Sequence, residues 1–230
     1  MKSYKVGENT LSIEIINEII SNNSKISLSP IAKKRIESSQ LYLNKRINNS
    51  DDPIYGINTG FGSLYNQKIS SKDLSQLQYN LVVSHACGVG DEVPSNIVRL
   101  ILLLKIQSLS YGNSAVNIKT VERLIDMYNK EVLPIVYEQG SLGASGDLAP
   151  LAHMSLPLLG LGEVDMLIGS KNPQIKRIKA SRALKDLKWN TLELGPKEGL
   201  ALLNGTQFMS AYATYILIKA KKLSYLADVI

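Results

Sequence analysis

Gly143-Ala144-Ser145-Gly146-Asp147 is the string in this 230-residue chain whose residue types could do chemistry beyond folding. Three readings of it compete. In the first it is a turn leading into a helix cap, the commonest fate of such a string. In the second it presents a nucleophilic serine, with His85 or His153 as the base. The hydrolase elbow, however, needs glycine two residues after the serine, and position 147 is Asp. In the third the backbone reacts with itself. The Gly146 nitrogen bends onto the Ala144 carbonyl carbon and a five-membered ring closes with loss of water. Ser145 then loses its hydroxyl and its α-proton, leaving an exocyclic methylene. Glycine has no Cβ to obstruct the approach, alanine is small, and serine supplies the β-hydroxyl to be eliminated. Composition alone does not choose among the three.

Other candidate residues have plain alternatives of their own. Tyr55, in Tyr55-Gly56-Ile57-Asn58-Thr59-Gly60-Phe61-Gly62, reads equally as a packed tyrosine in a glycine loop. His85, in Ser84-His85-Ala86, follows Leu77 and Leu81 on one helix face, where a satisfied core histidine is usual. Asn204, in Asn204-Gly205-Thr206-Gln207, reads as an ordinary Asn-Gly turn before a helix.

Taken together and in this order, these blocks and residues 143–154 (GASGDLAPLAHM) closely resemble the histidine-specific branch of the aromatic amino acid lyase family. Members of that family carry a methylidene-imidazolone (MIO) prosthetic group. The likeness runs from about Tyr4 to Ile230. It implies that Ala144, Ser145 and Gly146 condense to MIO, with Asp147 assisting, and that no metal or external cofactor is needed. Tyr55 matches the family's catalytic tyrosine, which removes the substrate β-proton. A free tyrosine titrates near ~10, so that role needs a lowered value or an acidified proton. Asn204 matches a residue contacting substrate or cofactor. The Ser84-His85 pair matches the histidine-specific members, making His85 a polar partner for an imidazole; relatives acting on phenylalanine or tyrosine tend to carry Phe-Leu or His-Leu there. His153 is read as structural. The implied reaction is non-oxidative deamination of L-histidine to trans-urocanate and ammonia in a cytoplasmic homotetramer. The alternatives are another MIO enzyme (a tyrosine or phenylalanine ammonia-lyase, or an aminomutase) and a non-catalytic fragment. Family members continue past the position of Ile230 into a long helical bundle that supplies further site residues, so this chain alone is expected to be incomplete.

The elements that must position these residues are mostly helices. The spacing predicts helices over 11–20, 30–48 (capped by Ser29 with Pro30 at the first position), 71–85, 95–110, 118–131, 181–188 and from 205 onward. Asp147 is expected to cap a helix that tolerates Pro150 in its first turn and kinks or ends at Pro157. Hairpins are expected at 4–12, around Gly7-Glu8-Asn9, and at 162–180, with its turn at 170–173. Residues 51–65 and 140–146 read as loops. The fold class is therefore mainly α: an MIO-bearing region over 1–204 with small hairpins, then the start of a truncated central bundle over 205–230. The final helix has no capping signal before Ile230, so the chain reads as cut.

Composition removes several classes. One cysteine, Cys87, excludes an internal disulfide framework, and two histidines exclude a cysteine–histidine zinc site. The apolar run 97–104 is broken by Arg99 and closed by Lys105, too short for a membrane span. No signal peptide is read at the start of the chain. The net charge of +6 draws on Lys171, Lys176, Arg177, Lys179, Arg182, Lys185 and Lys188, opposed by Asp186. With one Trp and two Phe in the chain, stacking platforms are scarce, and the run reads as solvated surface rather than a nucleic-acid footprint.

Overall fold

A helix that is apolar on every side has to be surrounded, and α4 (Ser95–Ser110) is. Its Ile97, Leu100, Ile101, Leu102, Leu103, Ile106 and Leu109 are all buried. Around it pack α5 (Ile118–Asn129), α2 (Pro30–Asn49) and the first half of α9 (Gln207–Val229). The computed structural model describes residues 3–49, 52–60, 65, 69–169 and 173–230.

Most predicted helices stand where periodicity puts them. Ser29 Oγ accepts from the Ala32 N–H at 3.1 Å, so α2 opens with its expected cap. A single 3-10 turn, Ser71–Asp73, leads into α3 (Leu74–His85). Helix α6 (Leu148–Ser155) gives way to a 3-10 turn holding Pro157, closed by Gly160 at φ +76°. Strands β6 (Glu163–Ile168) and β7 (Gln174–Lys179) form the expected antiparallel pair, extended by β4 (Leu133–Pro134) and followed by α7 (Ala180–Leu187). Of the turn expected at 170–173, only Pro173 lies within the described residues.

The expected hairpin at 4–12 is corrected. Strand β1 (Tyr4–Val6) pairs in parallel with β2 (Ile26–Leu28), across α1 (Ile13–Ser21). Gly7, at φ +79°, lies so close to Ala32 that a Cβ would sit 2.7 Å from that residue's own. The chain is turned there into α1, and Val6 O is taken by the Ser29 N–H. Composition also gave no sign of α8 (Glu198–Leu203), nor of the pair β3 (Val89–Glu92) and β5 (Tyr137–Gln139). In the basic run, Arg177 pairs with Glu92 and Asp165, and Arg182 with Asp186. Lys171 lies outside the described residues. No helix among the described residues is long and apolar enough to cross a membrane.

Candidate active site

The reactive-looking loop is exposed, but it is seated against Gly205. Bridges between Gly143, Ala144 and Gly146 fold the triplet back on itself, and the Gly146 N–H donates to Gly143 O at 3.3 Å. Gly146 adopts φ +101°, and a Cβ there would stand 2.6 Å from Gly205 O. Both facts demand glycine. The next residue fixes the contact, because the Asp147 N–H donates to Gly205 O at 2.8 Å.

Asp147 stands at the N-cap position of α6 but does not cap it. Its buried carboxylate instead accepts the Met209 N–H at 3.1 Å, in the first turn of α9. Capping of α6 passes to Ser141, whose Oγ accepts from the Ala149 N–H at 3.1 Å. The reason is geometric. Two helix N-termini converge here, and one carboxylate reaches the donors of the second while the loop's own serine serves the first.

Asn204 ends α8 in an extended conformation with its side chain exposed. Its carbonyl, with that of Ala201, accepts from Lys105 Nζ at 2.8 and 3.0 Å. Lys105 lies in α4 and is only 1% exposed. Burial pushes its ammonium down to about 7, against the pull of the Asp147 charge.

Tyr55 sits half-exposed on a turn knitted by its own side chains. Asn58 Oδ1 accepts the Ile54 N–H at 2.6 Å, and Asn58 Nδ2 donates to Asp52 O at 3.0 Å. Buried Gln78 ties this turn to the scaffold. Its Nε2 donates to Gly56 O and Ile57 O, and its Oε1 accepts the Gly199 N–H at 2.8 Å. Phe61 and Gly62 of the same sequence block lie outside the described residues.

His85 closes α3, half-buried. Its Nδ1 lies 2.7 Å from Leu81 O, a bond that requires the hydrogen on Nδ1 and so leaves the lone pair of the neutral ring on Nε2. Ser84 Oγ donates to the same carbonyl at 3.2 Å. Nearby, His153 Nε2 accepts the Gly88 N–H at 2.9 Å, and its ring meets the edge of Tyr137 at 5.1 Å. Burial lowers its pKa. His153 holds the strand entry behind His85 against α6.

Gly146 and Asp147 thus meet Gly205 directly. Tyr55 and His85 reach that pair through the scaffold, by way of Gln78 and α8 or of α3 and α6. Beside Gly205 the buried Gln207 Oε1 has no hydrogen-bond partner among the described residues. Sequence reasoning missed Lys105 and Gln78. The signal was a polar residue inside an apolar helix face, where charged side chains are almost never fully buried unless paired. Among the described residues no three His, Cys, Asp or Glu side chains are grouped to hold a metal ion.

The family model for aromatic amino acid lyases matches residues 11–230. This chain belongs to the aromatic amino acid lyase family. Among curated family relatives, histidine ammonia-lyase of Myxococcus xanthus is 43% identical over 220 residues, covering 96% of this chain and 42% of that protein. The histidine ammonia-lyase of Caldanaerobacter subterraneus subsp. tengcongensis is 41% identical over 230 residues, covering 100% and 44%. Among solved structures, histidine ammonia-lyase from Trypanosoma cruzi superposes with a TM-score of 0.86 at 33% identity, covering 100% of this chain and 43% of that one. Tyrosine aminomutase from Streptomyces globisporus gives 0.87 at 29% identity, covering 99% and 41%. The chain therefore spans less than half the length of the family relatives it matches.

Proposed function

We propose that the whole protein deaminates L-histidine non-oxidatively to trans-urocanate and ammonia, using an MIO electrophile made from Ala144, Ser145 and Gly146. The observation that carries this reading is the folded-back 144–146 triplet, pressed against Gly205 where no Cβ fits at Gly146. Such a turn suits ring closure. The Gly146 nitrogen bonds to the Ala144 carbonyl carbon, and that oxygen leaves as water with the two amide hydrogens of Ser145 and Gly146. A second water takes the Ser145 hydroxyl and the Ser145 α-proton. When formed, the group supplies an electrophile to an amine or an imidazole ring.

The chain's own residues divide the remaining work in this reading. Tyr55 takes the substrate β-proton, Asn204 contacts the substrate, and His85 is a polar partner for an imidazole. Asp147 keeps the loop seated on Gly205. The N-termini of α6 and α9, which converge on Asp147, favour negative charge developing near the loop. Residues 1–204 carry this machinery, and residues 205–230 begin a helical bundle in a cytoplasmic homotetramer. The exposed Ile216, Leu217, Leu223 and Leu226 of α9 suit such packing.

The test is the intact mass of the peptide containing 144–146 in the full-length protein, with and without Ser145→Ala. The wild-type peptide should be two waters light. The Ser145→Ala peptide should be at most one water lighter than its own sequence mass, and the variant should lose histidine turnover by several orders of magnitude, each tenfold being about 1.4 kcal/mol of barrier. An active wild-type protein at unmodified mass removes the reading. The likeness to a tyrosine aminomutase supports a second reading, an aminomutase. Incubation with histidine, tyrosine and phenylalanine separates them by unsaturated or β-amino products.

A further inference from the structure

Lys105 is a buried cation that the steps above do not use. It rises from the middle of α4, a helix with most of its residues buried, and spends two of its N–H bonds on Ala201 O and Asn204 O. Both acceptors belong to the C-terminal end of α8, where carbonyls lack helical partners and the local field is negative. A neutral aliphatic side chain would offer neither carbonyl a donor, and the Asn204 carbonyl is one bond away from Gly205.

Gly205 is the seat of the loop. Its carbonyl accepts the Asp147 N–H, and its backbone is what Gly146 abuts. Asp147 also anchors the start of α9 through Met209. The connection between α8 and α9 is therefore held on one side by a buried cation and on the other by a buried anion, with the 144–146 triplet bearing on the segment between. We infer that Lys105 is a positioning residue: its two hydrogen bonds hold the 204–206 turn in the place that keeps the 144–146 loop folded back on itself. The inference rests on the proposed MIO reading for its chemical consequence, though not for its structural one.

The experiment keeps those two apart. In the full-length protein carrying Ser145→Ala, which cannot complete the modification, hydrogen exchange is followed at the Asp147 amide, the donor to Gly205. Lys105→Met should speed that exchange at least tenfold, while Lys105→Arg, which keeps the charge and the donors, should restore most of the protection. In the Ser145 background, the modified fraction of the 144–146 peptide after equal folding times should fall at least tenfold in Lys105→Met and recover in Lys105→Arg. Lys105→Gln, with a buried donor but no charge, gives a second variant and should behave like Lys105→Met. Melting and assembly are measured alongside. A folded Lys105→Met or Lys105→Gln protein with wild-type exchange and modification overturns the inference. So does a failure of all three variants to fold, since Lys105 would then serve the core rather than the turn. If the wild-type peptide proves unmodified, the MIO reading fails, and the exchange measurement still decides the role of Lys105.

Discussion

At the scale of single residues, the two histidines carry the hydrogen of the neutral ring on the same nitrogen, Nδ1, but bond to the fold through different ones. His85 gives its Nδ1 hydrogen to Leu81, whereas His153 accepts at Nε2 from Gly88. The first arrangement suits recognition of a ligand N–H, and the second suits structure. In the full-length protein, His85→Leu should lower kcat/KM for histidine by about tenfold or more while assembly is unchanged, because a polar substrate group loses its partner. An unchanged kcat/KM in a well-assembled variant would remove His85 from the site. For His153 the consequence is one of pH. Its folded-state pKa lies below the unfolded value of about 6.5, so the unfolded chain binds the extra proton first. The stability contributed by the neutral ring is present above that value and is lost as pH falls below it toward the lower folded pKa. Melting temperature should drop between pH 7 and mildly acidic pH in the wild type. The drop should be smaller in His153→Gln, which keeps an acceptor for Gly88 but does not titrate.

At the scale of elements, α8 organises the site although it is only six residues long. Gln78 holds its start to the Tyr55 turn, and Lys105 holds its end. Gln78→Leu should leave the Gly199 N–H and two turn carbonyls without partners. Unfolding free energy should fall by about 1–3 kcal/mol, with faster amide exchange around 56–58 than elsewhere; equal loss of protection across the chain would count against a local tie. What was legible in the sequence follows the same division. Ser29-Pro30, the apolar run of α4 and Pro157 are local signals, and the helices they define stand where expected. The parallel partner of β1 is separated from it by a whole helix, and no local pattern announces a pairing across that distance. Asp147 was legible as an N-cap by type, but its carboxylate goes to Met209, whose place depends on how α9 docks. Lys105 and Gln78 were hidden for the same reason. Their partners lie 96 and 121 positions away in the chain.

At the scale of the whole molecule, α9 is buried only through its first half. Ala211 and Thr214 meet α4, whereas Ile216, Leu217, Leu223, Tyr225, Leu226 and Val229 are exposed. Apolar side chains exposed all round that half of the helix favour association. The 230-residue chain expressed alone should therefore self-associate, with a light-scattering mass that grows across a concentration series; a concentration-independent monomer would contradict this. The bond between Asp147 and Met209 has a consequence in time as well as in space. The two residues are 62 positions apart, and a ribosome adds about 5–20 residues per second. The Ala-Ser-Gly triplet therefore exists for roughly 3–12 s before the residue that anchors its neighbour has been made. During that interval the loop belongs to a nascent peptide that lacks its anchors, and it acquires its seat only once Gly205 and the start of α9 have been made.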